Sequence, residues 1–164
     1  MDDKKISEIV EAVKRNLEVA GGNVSYNKEN ITLDAAKRLA DKVEAEAKRI
    51  GVRAVIAIAN SGANPVLVHA TDDSFIASFA VAVSKAYTSV SLKMATADLK
   101  PLANPGGPLY GIQFTDPGKI AVFGGGDPLK KNGTIIGAMG VSGGTEEEDT
   151  YLSAFGAKVF GEEF

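Results

Sequence analysis

The chain has 164 residues, 45% hydrophobic and 24% charged, with a net charge of −3 and no cysteine. That length suits one domain with a sizeable core, and the mild acidity offers no basic field to a nucleic-acid backbone. The absence of cysteine excludes disulfides, thiolate nucleophiles, iron–sulfur clusters and cysteine-held zinc.

Residues 3–20 predict an amphipathic helix, with Ile6, Ile9, Val10, Val13 and Leu17 along one stripe. Its scattered charges leave no continuous apolar core of the kind a secretory signal needs. Gly21 and Gly22 end it, and a polar linker follows, so the sequence divides into residues 1–30, helix and linker, and residues 31–164, one folded domain. Thr32 is placed to cap a second helix that stops at Gly51. Arg53 to Ala59 and Pro65 to Ala70 read as an antiparallel hairpin around an Asn60–Asn64 turn. A third helix is expected over Ser74–Met94. Its first half is apolar nearly all round (Phe75, Ile76, Phe79, Val81, Val83), which predicts burial between the sheet and a second surface. Four prolines among residues 95–118 predict a loop. Lys119–Phe123 and Thr134–Val141 read as strands around Gly124–Gly126, with a turn at Asn132 and Gly133. Thr145 and Glu148 form a capping box that opens a last helix reaching about Ala157. The plan is α+β: helices gathered around a mostly antiparallel sheet. The longest apolar stretch, Phe75 to Val83, is too short to cross a bilayer, so a soluble cytoplasmic protein without membrane insertion is expected.

Twelve of the 18 glycines lie between Gly106 and Gly144. The segment FGGGDPLKKNGTIIGAMGVSGGTEEED, the helix SKAYTSVSL and the hairpin ANSGANPVLVHATDD resemble the family that includes GlcG, the haem-binding protein HbpS and the C-terminal domain of PduO. The likeness spans roughly Ile31 to Val159. It implies a profilin-like fold with a five-stranded antiparallel sheet carrying helices on its faces, plus the extra N-terminal helix. It also implies a homo-oligomer, a dimer or larger. The ligand would be haem or a corrinoid-related tetrapyrrole, in a setting of glycolate, glycerol or propanediol utilisation, with no established catalysis.

Each candidate site residue has a functional and a structural reading. His69, the sole histidine, is the one conventional imidazole for haem iron or another metal, and equally a hydrogen-bonded strand residue. Tyr87, Tyr110 and Met94 are weaker axial donors. In the family the third helix borders a cleft, which makes Lys85 and Thr88 candidates for cofactor binding. Lys85 is either a buried, partnered ammonium or a snorkelling one. Gly124, Gly125 and Gly126 suit a pocket rim or a close backbone approach. Ser142, Gly143 and Gly144 precede a helix start and suit an anion cradle, which Glu146, Glu147 and Glu148 oppose. The run from Glu146 to Asp149 suits a hard cation or a solvated helix start.

With one histidine and no cysteine there is no full Ser-His-Asp or cysteine-nucleophile set. A competing reading is an auxiliary enzyme of diol metabolism acting through Lys85 or the Gly124–Gly126 rim. A third follows from the N-terminal helix, which resembles peptides that dock cargo into bacterial microcompartments. Residues 1–20 would then bind a shell or enzyme partner, or else pack on their own domain.

Overall fold

The structure, a computed structural model, describes Glu11 and residues 29–164. The helix expected over residues 3–20 therefore lies outside the described residues, save for Glu11, which is helical and exposed. The folded part runs α1 (Leu33–Ile50), β1 (Val55–Asn60), β2 (Pro65–Ala70), α2 (Ile76–Leu92), α3 (Thr96–Ala103), a 3-10 turn (Ile112–Phe114), β3 (Gly126–Lys131), β4 (Thr134–Ser142) and α4 (Glu146–Glu163). The strands form one antiparallel sheet in the order β2-β1-β4-β3.

The two faces of that sheet are built from residues of different size. Ile56 and Ile58 on β1, with their β4 partners Val141 and Met139, join the core beneath α1 and α4, where Leu39, Val43, Leu152 and Phe160 are buried. On the other face Val55, Ala57 and Ala59 meet Ala82 and Ala86 of α2. Ala57 pairs with Gly140 and Ala59 with Ala138, so β4 also shows small side chains there. The result is close contact: a Cβ on Gly140 would stand 2.1 Å from the Ala82 carbonyl oxygen and 2.6 Å from the Ala86 nitrogen. β1 is buried on both faces, which explains its unbroken apolar run.

The helix ends follow local chemistry. Thr32 Oγ1 accepts from Ala35 N–H at the start of α1, and Gly51 closes that helix at φ 80°. Thr145 and Glu148 form the reciprocal capping box of α4, which runs past Ala157 to Glu163. Asn132 (φ 50°) and Gly133 (φ 78°) make the two-residue turn between β3 and β4.

Three expectations are corrected. The sheet has four strands, because Lys119–Phe123 forms none. Side chains hold the backbone there instead: Ala121 N–H donates to Thr88 Oγ1, and the Lys119 carbonyl accepts from that hydroxyl. The strand comes after the glycines, as GDPLKK, and Pro128 is tolerated because β3 is an edge. The proline-rich stretch is not all loop: α3 forms despite Pro101, burying Thr96, Leu99 and Ala103 at helical spacing. Finally, the first turns of α2 are open, with Phe75 72%, Ile76 97% and Phe79 54% exposed. α2 buries its small residues and turns these large ones away from the sheet.

The Gly140 contact yields a direct prediction. Gly140→Ala should cost about 1–3 kcal/mol, because both obstructing atoms belong to backbone that cannot rotate aside. Urea titration should show a lower midpoint with an unchanged slope.

Candidate functional site

Lys85 lies inside α2 with a fully buried side chain. Its ammonium donates to Asp149 Oδ2 at 2.6 Å and to the Val141 carbonyl at 2.8 Å. The opening that admits it sits at the edge of the β3–β4 ladder. Val141 N–H donates to the Gly125 carbonyl at 2.7 Å, while the carbonyl of Val141 takes the lysine. Gly125 has φ 111°, and a Cβ there would meet Lys85 Nζ at 2.6 Å. Burial pulls the Lys85 ammonium below its ordinary pKa and pushes the Asp149 carboxyl up, and their mutual hydrogen bond opposes both shifts. The Gly144 N–H also donates to Asp149 Oδ1, a second bond that favours the carboxylate against the cost of its burial.

The other glycines close around this pair. Gly124 N–H donates to Glu146 Oε1 and Gly126 N–H to Thr96 Oγ1, both at 2.9 Å. A Cβ on Gly124 would meet Thr150 Oγ1 at 2.0 Å, and one on Gly143 would meet the Arg53 carbonyl at 2.3 Å. Ser142 Oγ reaches Ser78 Oγ at 3.2 Å. Thus Lys85, Gly124–Gly126 and Ser142–Gly144 do converge, and what they meet is one another. Of the two readings of the 142–145 turn, these contacts fit the structural one: Gly144 N–H is taken by Asp149 and Thr145 N–H by Glu148. The contacts of Glu146–Asp149 likewise fit a helix start. Glu146 serves Gly124 and Lys100, Glu148 caps, and Asp149 holds Lys85.

A cavity of about 500 Å³ opens beside this unit. It is walled by Ala80, Val83, Ser84 and Tyr87 of α2, Pro65 of β2, and Gly118 and Lys119, with Phe79 at its edge. The four α2 positions follow i, i+3, i+4, i+7, one stripe of the helix. Lys85 and Thr88 are not in that wall. Thr88 instead builds it: its one hydroxyl proton is shared between the Ser84 (2.7 Å) and Lys119 (3.2 Å) carbonyls, and its oxygen accepts from Ala121 N–H (2.9 Å), tying the 119–121 segment to the helix. Ser84 Oγ donates to the Gly118 carbonyl at 3.1 Å. Tyr87 O–H donates to Asp116 Oδ2 at 2.7 Å, Asp116 pairs with Lys119 at 3.3 Å, and the Lys119 ammonium stands 5.5 Å over the Tyr87 ring. The tyrosine hydrogen bond, then Lys119, hold the Asp116 carboxyl below its ordinary value.

His69 stands apart from both. It points to α1, where Nε2 meets Glu44 Oε2 at 2.8 Å. Among the described residues, Asp41, Glu44 and His69 are the one group with donor atoms close enough to share an ion. Glu44 is also held by Lys48 at 2.5 Å. Tyr110 is exposed, and Met94 lies in the turn after α2; neither lines the cavity. The sequence reading missed Asp149 as the partner of Lys85, although a lysine in an apolar helix demands a counter-charge. It also missed Ser84, for which the α2 stripe was the available signal, and Asp116 and Lys119, which lie outside the helix and which no local pattern marks.

The sequence pattern of the family described as "Haem degrading protein HbpS-like" matches residues 31–158. An uncharacterized 15.0 kDa protein of the dhaT-dhaS intergenic region of Citrobacter freundii is 41% identical over 140 residues, 85% of this chain and 99% of that one. The corrinoid adenosyltransferase PduO of Salmonella typhimurium is 35% identical over 103 residues; these are 63% of this chain but 31% of PduO. Among solved structures, Klebsiella pneumoniae protein ORFY superposes with a TM-score of 0.78 at 39% identity, covering 80% of this chain and 91% of that one. The PduOC–haem complex gives 0.75 at 29% identity, covering 79% and 94%. No described helix is long and apolar enough to cross a membrane.

Two predictions follow from the geometry. Lys85→Met should lower stability by about 3–5 kcal/mol, because Asp149 is left buried without its counter-charge. The double variant Lys85→Met/Asp149→Asn should recover part of that loss by urea denaturation, since a neutral amide costs less to bury. The second concerns pH. A depressed carboxylate adds stability above its ordinary value of 3.8, and that contribution disappears as pH falls through the lower folded value. Asp116→Asn should therefore flatten the fall in thermal midpoint below pH 3.8.

Proposed function

The chain belongs to the HbpS-like family over residues 31–158, and on that premise we propose that it binds haem or a related tetrapyrrole in the cavity beside α2. The observation that carries this reading is the cavity itself, about 500 Å³ of mainly apolar wall with a phenol and an ammonium. That volume is within the range of small-molecule sites, and the lining has their usual make-up. A macrocycle with carboxylate arms needs a dry slot, a cation and an axial donor. Ala80, Val83, Pro65 and Phe79 supply the first, Lys119 the second and Tyr87 the third. The residues present therefore fit the group, and when bound it would supply an iron centre open to an axial ligand.

The relative whose haem complex is solved shares this fold at 29% identity, which supports the ligand class. The relation to a corrinoid adenosyltransferase keeps a corrinoid-like tetrapyrrole as the second ligand choice. It also favours a place in propanediol or glycerol utilisation. The exposed Phe75, Ile76 and Phe79 favour a homo-oligomer in which a second copy covers this end of α2. Residues 1–20, save Glu11, lie outside the described residues; their amphipathic pattern supports docking to a microcompartment partner. An enzymatic role for Lys85 finds less support, since its ammonium is enclosed and spent on Asp149 and Val141.

Titrating ferric haem into the purified protein should shift the Soret band to saturation at about one haem per chain. Ala80→Trp fills the cavity from an exposed helix position and should weaken binding about tenfold or more, a loss of roughly 1.4 kcal/mol. His69→Ala should bind as the wild type does. An unshifted Soret band in the wild-type protein would overturn the reading.

A further inference from the structure

We propose that Tyr87 binds the iron as a phenolate, with Asp116 as the acceptor of its proton and Lys119 as the cation that holds both in place. This rests on the haem-binding reading above and names the residue that makes the bond. Among the described residues that line the cavity there is no histidine or methionine. The sole histidine faces α1 across the sheet, joined to Glu44. Of the remaining polar groups, the Asn64 amide can offer only a neutral carbonyl oxygen, the Ser84 hydroxyl donates to the Gly118 carbonyl, which cannot take its proton, and the Lys119 ammonium has no lone pair to give. The Tyr87 oxygen is different. Its proton is already directed to Asp116 Oδ2 at 2.7 Å, which leaves the oxygen's lone pairs for a Lewis acid. Phenolate is a hard anionic donor suited to ferric iron, and tyrosine is an established axial ligand in other folds.

The surroundings prepare that bond. Asp116 is oriented by Lys119 at 3.3 Å, and the same ammonium lies 5.5 Å over the tyrosine ring, which holds the ring in place. The helix and the Gly118–Ala121 segment are pinned by Ser84 and Thr88, so donor and acceptor are set before any ligand arrives. On binding, one Fe–O bond forms and the phenol O–H bond breaks. The proton leaves to solvent by way of the partly exposed Asp116 carboxylate, the iron stays ferric, and no electron is transferred. The single positive charge of a ferric porphyrin core is balanced by the phenolate.

The test uses ferric haem with the full-length protein, Tyr87→Phe, Tyr87→His and Asp116→Asn, read by absorption, resonance Raman and electron paramagnetic resonance. The wild-type complex should be high-spin and show phenolate ring modes that shift when tyrosine is ring-deuterated. Tyr87→Phe should lose those modes and bind about tenfold or more weaker. Tyr87→His should restore tight binding with a histidine signature, which separates ligation from packing. Asp116→Asn should keep the phenolate modes and bind several-fold weaker. A wild-type protein that binds haem with a spectrum identical to that of Tyr87→Phe overturns this assignment and leaves the haem-binding reading standing. A wild-type protein that binds no haem overturns both.

Discussion

The rest of this fold is arranged around one buried charge. Lys85 carries an ammonium from α2, on one face of the sheet, to Asp149 on α4, which packs on the other. A cation without water needs a full set of acceptors. Asp149 and the Val141 carbonyl provide them, at a point where the edge ladder has opened. That opening needs residues without side chains. Gly125 clears the ammonium, Gly126 clears the backbone of Lys85, and Gly143 clears Arg53. The glycine-rich element is thus the negative image of a lysine. Asp149 in turn holds Gly144 N–H, which fixes the turn from which α4 starts.

The same constraint sets where a ligand could go. For Lys85 to reach Asp149, α2 must lie very close to the sheet, and the small residues Ala82, Ala86 and Gly140 permit this. A helix held by its small face turns its larger residues outward. Val83 and Tyr87 face the cavity, Phe79 stands at its edge, and Phe75 and Ile76 are exposed. The segment before the triple glycine then folds back on α2 through Thr88, Ser84 and Asp116. The cavity and the exposed apolar end of α2 are two products of one packing decision.

Much of the architecture was legible in the residues. Thr32 and Gly51 bound α1, Thr145 and Glu148 open α4, and Asn132–Gly133 turns the second hairpin, because each is a local contact within a few residues. The third edge of the sheet was less legible. Lys119–Phe123 has strand-like residues but is held by a helix hydroxyl, whereas GDPLKK has a proline and two lysines yet pairs along an edge. Likewise α3 is hidden by Pro101, and its burial of Leu99 depends on neighbours far along the chain. Among the described residues no second surface covers the first half of α2, because periodicity reports apolar area and not what covers it.

By itself the sequence determined the limits of α1, the start of α4, the first hairpin, the α+β plan and the family, since these rest on capping, turn chemistry and a contiguous motif. It also singled out Lys85, Thr88 and the glycines as unusual. Only the tertiary structure decided what they do. Whether a lysine is paired, and whether a glycine lines a pocket or clears a side chain, depends on atoms 56 to 64 residues away. The structure also puts Ser84 and Tyr87, and not Lys85 and Thr88, on the cavity wall, because a helix turns each side chain by about 100° from the last. The neighbours of a buried residue are therefore the ones that look outward.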